Sequence, residues 1–257
     1  MIMALCNLKI FSESLGMQTD VNVAIPQSNL RGEIGTNTSG RKGNLKCLYL
    51  LHGLSDNYSI WARRTSIERY AQDRGICVVM PDGARSFYTD MKYGGKYYTY
   101  IAKELPQIIR EMFSLSAKRE DNFIAGLSMG GYGALKIALR ECDSFCAAAA
   151  FSAVADIHNK NFTNDLVPVF GEGGVIPKED DLFELAKICE KNPNRPRIFM
   201  GEGTEDFMYD DNVRLKELFE TLDYDYTYRE SEGTHCWKFW DEYIQYALDW
   251  LFQEDLK

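Results

Sequence analysis

The chain has 257 residues, 45% of them hydrophobic, enough to bury the core of one α/β domain. A formal net charge of −9 and the lack of any basic block argue against a nucleic-acid footprint or an anionic-membrane patch. No apolar run approaches the ~20 residues that span a bilayer. The first ten residues have no basic leader, long apolar stretch or small-residue cleavage site, so no signal peptide is read and a cytoplasmic location is expected. Seven cysteines, an odd number without C-x-x-C spacing, read as reduced thiols rather than disulfides or metal ligands.

In chain order, residues 5–11 and 19–25 alternate enough to form a β-hairpin edge. Asn29 to Asn44 is polar and rich in Gly, Ser, Thr and Asn, and reads as a surface loop. Lys46–Leu51 is a nearly continuous apolar run, as in a strand covered on both faces. It ends in His52-Gly53-Leu54. Ile60–Arg74 reads as one helix, Ile76–Met80 as a buried strand, and Tyr100–Phe113 as an amphipathic helix with Pro106 near its first turn. Phe123–Ala125 leads into Gly126-Leu127-Ser128-Met129-Gly130, and a helix-forming stretch, Ala134–Arg140, leads out. Cys146–Ser152 is a further strand. Ala153–Asp180 is irregular, with a helix over Asp181–Cys189. Arg197–Gly201 and Tyr224–Glu230 are strands, Asp210–Leu222 and Trp237–Phe252 helices.

Strands alternating with helices from residue 46 onward predict a mostly parallel central sheet flanked by helices. No break supports a second domain. The expectation is a single α/β domain over 1–257 with a small lid-like insertion at about 153–190.

The chemistry centres on Ser128. Strand, tight turn and helix around G-x-S-x-G form the context of a nucleophile elbow. Serine needs a base to take its proton and a third group to orient that base. With the chain order serine, acid, histidine, two histidines qualify. His158, soon after the following strand, reads as a surface or lid residue. His235 lies in a loop between the last strand and the last helix, which suits a catalytic base. The acid belongs in the loop Gly201-Glu-Gly-Thr-Glu-Asp-Phe207. There Glu202 lies close to the strand end, leaving Glu205 and Asp206. The oxyanion hole needs two backbone N–H groups, expected from Met129 and Leu54. His52 is read as a brace of its loop. Trp61, Phe151, Phe162, Phe170 and Trp237 are candidates for substrate walls, where aromatic rings stack on sugars or a cinnamoyl group.

Several motifs together resemble the esterase family that includes esterase D, S-formylglutathione hydrolases, feruloyl esterases and bacterial tributyrin esterases. They are Leu51-His-Gly-Leu54, Trp61-Ala-Arg-Arg-Thr65, Val79-Met-Pro-Asp82, Phe123 to Leu135, Gly203-Thr-Glu-Asp206 and Gly233-Thr-His235. The match spans nearly the whole chain and is nearest the tributyrin branch. The resemblance implies an α/β-hydrolase fold with no metal or organic cofactor. It implies Ser128 as nucleophile, Asp206 as acid and His235 as base. It implies short-chain acyl esters as substrates, small molecules or acetyl and feruloyl groups on plant polysaccharides. The loop 31–44 departs from the family pattern, which bears on oligomer contacts; a homo-oligomer is left open. A thioesterase such as S-formylglutathione hydrolase and an acyltransferase share the same trio, whereas a binding protein would not need it.

Overall fold

The computed structural model describes residues 2–27 and 44–252, so the polar loop of 31–44 lies, Asn44 apart, outside the described residues. Eight strands form one sheet in the order β1-β2-β4-β3-β5-β6-β7-β8. They are β1 (Ile2–Ser12), β2 (Met17–Gln27), β3 (Cys47–Leu51), β4 (Cys77–Pro81), β5 (Asn122–Leu127), β6 (Ala147–Phe151), β7 (Arg197–Gly203) and β8 (Tyr226–Ser231). β1 pairs antiparallel with β2, and β2 with β4. From β4 to β8 every pairing is parallel. The hairpin is longer than its alternating segments, with Ile2 registered on Gln27 and Ser12 on Met17.

The central strands lack hydrophobic alternation because both their faces are covered. Cys47, Tyr49 and Leu51 of β3 point into one core, Leu48 and Leu50 into the other. The first core packs α4 (Leu105–Met112), α5 (Met129–Arg140), α6 (Thr163–Phe170), α7 (Leu182–Cys189) and α8 (Tyr209–Thr221) against the sheet. The second holds α1 (Ile60–Arg64), α2 (Ile67–Arg74) and α9 (Trp237–Leu251). Burying each strand on both sides is what a parallel sheet requires.

Three helical expectations are corrected. Ile60–Arg74 is two helices, because Thr65 is extended (φ −134°, ψ 173°). Its hydroxyl donates to Trp61 O (2.7 Å) and accepts from Ile67 N (3.1 Å), replacing the helical ladder with side-chain bonds. The segment expected as Tyr100–Phe113 starts earlier, as a short α3 (Tyr97–Thr99), runs through a π turn at Tyr100–Glu104, and becomes α4. Pro106 lacks an N–H and falls in the first turn of α4, where none is needed. The stretch Ala153–Asp180 contains α6, which includes Pro168. The carbonyls of Pro168 and Val169 at its end accept from Tyr93 N (3.0 Å) and Lys92 N (2.8 Å), which satisfies groups a helix terminus otherwise leaves open.

Candidate active site

The C-terminal ends of β3, β5, β7 and β8 deliver their loops to one edge of the sheet. Ser128 is the residue between β5 and α5, at φ +52°, ψ −119°, a conformation a non-glycine residue rarely adopts. It is held there by backbone bonds on both sides. Its N–H donates to Phe151 O (2.8 Å), and its carbonyl accepts from Tyr132 N (3.1 Å) and Val154 N (3.2 Å). The turn is possible because Gly126 and Gly130 have no side chain. A Cβ at Gly126 would stand 2.3 Å from Gly130 O, and one at Gly130 2.5 Å from Leu51 O.

The loop after β7 carries Asp206, whose N–H donates to Gly203 O (3.0 Å). The loop after β8 carries His235. The two loops are laced by Thr204 N to Ser231 O (3.0 Å) and Glu205 N to Gly233 O (2.9 Å). Their approach is so close that a Cβ at Gly203 would lie 2.4 Å from Gly233 O.

His235 Nε2 lies 3.0 Å from Ser128 Oγ, and Nδ1 lies 2.8 and 3.1 Å from the two oxygens of Asp206. A carboxylate only accepts, so Nδ1 bears the hydrogen and Nε2 is left to accept from the serine hydroxyl. Asp206 also accepts from Met208 N (2.9 Å), and its side chain is fully buried. The imidazole is 19% exposed, and Ser128 7%. Trp240 meets the imidazole edge-on at 4.9 Å and is itself fixed by a bond from Nε1 to Ser152 Oγ (3.1 Å). Glu205 is exposed, and His158, on the surface, sits 3.2 Å from Asp181, away from this chain of bonds.

The loop His52–Leu54 flanks the serine. A Cβ at Gly53 would be 3.8 Å from Ser128 Cβ. His52 Nε2 accepts from Gly83 N (2.8 Å), so its Nδ1 carries the hydrogen and donates to Gly53 O (2.7 Å). Tyr88 donates to His52 O (2.9 Å). Among the described residues neither Leu54 N nor Met129 N donates to another protein group, which leaves both for a ligand oxygen. Met129 opens α5, where a free N–H and the helix dipole favour negative charge.

The expected substrate walls fare differently. Trp61 is 1% exposed, bonded through Nε1 to Leu51 O (2.9 Å), and meets Phe151, itself completely buried. Both belong to the core, because β6 and α1 turn those rings under the sheet. Phe162 packs on Phe87 at 5.8 Å, and Trp237 on Trp61 at 5.2 Å. Phe170 lines a cavity of about 200 Å³ with His158, Leu166, Val167 and Ile176. The aromatic at the mouth is one not anticipated. Phe207 is 60% exposed and lies 4.7 Å from the His235 ring. Its position directly after Asp206 was the available signal. Arg85 bridges Leu54 O (3.4 Å) and Asp165 of α6.

A larger cavity, about 510 Å³, lies elsewhere. Lys46, Phe123, Cys146 and Arg197 line it at the N-terminal ends of the strands, opposite the serine. Among the described residues no group of three or more His, Cys, Asp or Glu is placed to hold a metal ion.

Glu202, in β7 beside Asp206, is fully buried. Burial, and then the neighbouring Asp206 charge, push its carboxyl up to about 9, so it is neutral near pH 7.

A sheet of this topology, with a serine strained into the turn that leaves its central strand, makes the chain a serine hydrolase of the α/β-hydrolase fold. The family model described as Putative esterase matches residues 12–251, and the chain belongs to that esterase family, as a carboxylic ester hydrolase. It is similar to an acetyl esterase of Caldicellulosiruptor saccharolyticus, 31% identical and covering 97% of this chain and 98% of the relative. Among solved structures it is similar to the substrate-bound fluorophosphonate-binding serine hydrolase F of Staphylococcus aureus (34% identity, TM-score 0.84, 97% and 98% of the two chains). It is likewise similar to an S-formylglutathione hydrolase of the same organism (33%, TM-score 0.85, 98% and 100%).

Proposed function

We propose that the chain cleaves short-chain acyl esters through a Ser128–His235–Asp206 triad and a covalent acyl-enzyme. Ser128 Oγ attacks the ester carbonyl while His235 Nε2 takes its proton. The oxyanion is received by the N–H groups of Leu54 and Met129. His235 then hands the proton to the departing alcohol, and water repeats the sequence on the acyl-enzyme. Asp206 fixes the tautomer of His235 and offsets the charge it acquires. The carrying observation is the unbroken line of hydrogen bonds at 3.0 and 2.8 Å from serine through imidazole to a buried carboxylate.

An acetyl-sized acyl group is the favoured substrate, supported by the acetyl esterase relative. Tributyrin and acetylated or feruloylated polysaccharide fit the same class. A thioester reading is favoured by the similarity to S-formylglutathione hydrolases, since the same relay serves a thiol leaving group. Residues 153–190 form a cap over the sheet edge. Its support is the anchoring of Asp180 to Tyr132 OH through its carbonyl (2.6 Å) and to Lys136 through its carboxylate (3.0 Å), both on α5. The seven free thiols suit a reducing, cytoplasmic setting.

The test is Ser128→Ala on p-nitrophenyl acetate, with an acyl-chain series, a matched thioester and acetylated xylan. Activity should fall on the order of 10⁶-fold, and fluorophosphonate labelling should vanish. Retention of a tenth of the rate would refute the assignment.

A further inference from the structure

We propose that Tyr88 is a positioning residue of the oxyanion hole, whose buried hydroxyl holds the main chain of His52–Leu54 so that Leu54 N faces the developing oxyanion. The inference rests on the reading of Ser128 as nucleophile and of Leu54 N as oxyanion donor given above. Four successive carbonyls run along this segment, and a side chain takes each one. Leu51 O accepts from Trp61 Nε1 (2.9 Å) and His52 O from the Tyr88 hydroxyl (2.9 Å). Gly53 O accepts from His52 Nδ1 (2.7 Å) and Leu54 O from Arg85 Nη1 (3.4 Å). A trans peptide group is planar, so its C=O and N–H point in opposite directions. Fixing Gly53 O therefore fixes the direction of Leu54 N, and among the described residues that amide donates to no other protein group. The preceding peptide, from His52 to Gly53, is held at its oxygen by Tyr88. The hinge between these two peptides is glycine, the residue least able to resist rotation by itself.

Tyr88 is itself immobilised. It is completely buried, and a Cβ added at Gly133 or Gly83 would meet its ring at 2.3 or 2.5 Å. Its backbone is in the left-handed region at φ +50°, as is that of Phe87 at φ +49°. Such geometry persists only where the surroundings over-determine it. Lys136 of α5 supplies the constraint on both sides of Tyr88, donating to Phe87 O (3.1 Å) and to Thr89 Oγ1 (2.6 Å). The hydroxyl thus reaches His52 O from a support built on α5, the helix that starts at the nucleophile. Ser128 and Leu54 N are thereby referred to one frame. Ring packing alone would be served equally well by phenylalanine; the hydroxyl is what connects this support to the oxyanion loop.

The experiment measures kcat per fluorophosphonate-labelled site, KM and Tm on p-nitrophenyl acetate for wild type, Y88F and Y224F. It adds the inhibition constant of a trifluoromethyl ketone, whose tetrahedral adduct carries an oxyanion. Y224F is the control, since that hydroxyl also donates to a main-chain carbonyl, Ala186 O (2.7 Å), but ahead of β8 at the other end of the sheet. Losing an oxyanion donor outright costs about 10²–10³ in kcat, so misdirecting one in Y88F should cost about tenfold or more, with KM within about twofold of wild type. Ketone binding should weaken by the same factor as kcat. Y224F should alter neither, whatever its Tm. Two further replacements of Tyr88 keep the bulk of the hydroxyl and decide the matter if Y88F does not fold. p-Aminophenylalanine retains a donor and should stay within about threefold of wild-type kcat, whereas p-fluorophenylalanine has none and should lose about tenfold. Equal kcat for Y88F and wild type overturns the proposal, as does an equal loss in the amino and fluoro variants, or a loss of kcat with unchanged ketone binding. Absence of Ser128 labelling in wild type would instead refute the triad reading, so the two failures are distinguishable.

Discussion

Replacing Gly130 by alanine tests whether the elbow and the oxyanion loop are built as described. A Cβ there would lie 2.5 Å from Leu51 O, 2.7 Å from His52 O and 2.8 Å from Leu51 C, whereas ordinary contact begins at 3.4 Å. One backbone must withdraw by about 0.9 Å, the difference between those distances. α5 is locked by its own helical bonds and buried along eleven of its twelve residues. The shift therefore falls on Leu51–Leu54. An oxyanion donor works at about 2.7–3.1 Å, so a displacement of that size takes Leu54 N out of range, and losing one donor costs about 10²–10³ in kcat. Gly131→Ala is the control. Its Cβ would meet Ala153 at 3.0 and 3.1 Å, a mismatch of a few tenths of an ångström on the far side from the oxyanion loop. The assay is kcat per fluorophosphonate-labelled site, with Tm measured alongside. We expect Gly130→Ala to lose at least a hundredfold and Gly131→Ala less than tenfold. If Gly130→Ala stayed within about threefold of wild type at unchanged Tm, the close packing of α5 on β3 would not be what holds the oxyanion loop.

Other expectations are read from single contacts. Asp206→Asn should lower kcat by about 10⁴, since the amide can hold the wrong tautomer of His235; rate and burst amplitude report it. Phe207→Ala removes the ring 4.7 Å from His235, and a loss of about 0.5–1.5 kcal/mol predicts a kcat decrease of up to about tenfold, with changed acyl-chain preference in the same ester panel. Lys136 is wholly buried between Asp180 (3.0 Å), Thr89 Oγ1 (2.6 Å) and Phe87 O (3.1 Å). Lys136→Met leaves Asp180 with Arg140 at 3.6 Å and should cost about 3 kcal/mol, with the double variant Lys136→Met/Asp180→Leu recovering stability in urea unfolding. Burial depresses Lys136 from 10.5 to about 8, so between those values the unfolded chain binds more protons; this group makes stability rise with pH across that window and gives no slope below it, which the pH dependence of the urea midpoint in wild type minus variant measures. Cys142, in the turn after α5, and Cys189, at the end of α7, hold their sulfurs 2.9 Å apart, so mild peroxide should remove two hydrogens and join them, visible by intact mass and absent in Cys142→Ser.

The sequence carried the strand order poorly but the strand identities well. β3, β4 and β5 are short apolar runs between turn signals, and covering on both faces leaves that trace directly in composition. Ser128 and His235 could be singled out because each lies in a loop whose place follows from alternating strands and helices, whereas that alternation left Glu205 beside Asp206 and the family resemblance chose between them. The helix breaks were not legible. Thr65 ends α1 through hydroxyl bonds whose geometry depends on where Trp61 docks, and Trp61 docks on Leu51 O, a partner ten residues earlier. The aromatic walls misled for a related reason. A ring in a loop-bounding segment turns either to the mouth or beneath the sheet, and the parity of one residue decides. Phe151 ends β6 with the same orientation as Ala147 and Ala149, which face the core beneath α9, while Phe207 lies beyond β7 and is free of that alternation. Glu202 could be set aside as the acid by its closeness to the strand end, but its burial became visible only with β8 in place beside it.

Backbone strain has a distribution that follows from these placements. Among the described residues five non-glycine residues adopt positive φ, Ala84, Phe87, Tyr88, Ser128 and Ser152. Each such residue costs on the order of 1–3 kcal/mol and persists only where its surroundings over-determine it. Ser128 is pinned by three backbone bonds. Ser152 donates through its N–H to Gly201 O (2.9 Å) and its hydroxyl accepts from Trp240 Nε1, and so connects strain to the ring that packs edge-on against His235. The segment 84–88 presses Tyr88 against Gly133 and Gly83 and sends its hydroxyl to His52 O, the carbonyl beside the oxyanion loop. Ser128, His235 and the loop His52–Leu54 thus each lean on a strained backbone that a sheet buried on both faces can support. A surface hairpin such as β1–β2, with a half-exposed outer strand, has no comparable reserve of contacts to hold such geometry, which is a physical reason for the chemistry to gather at the central strands.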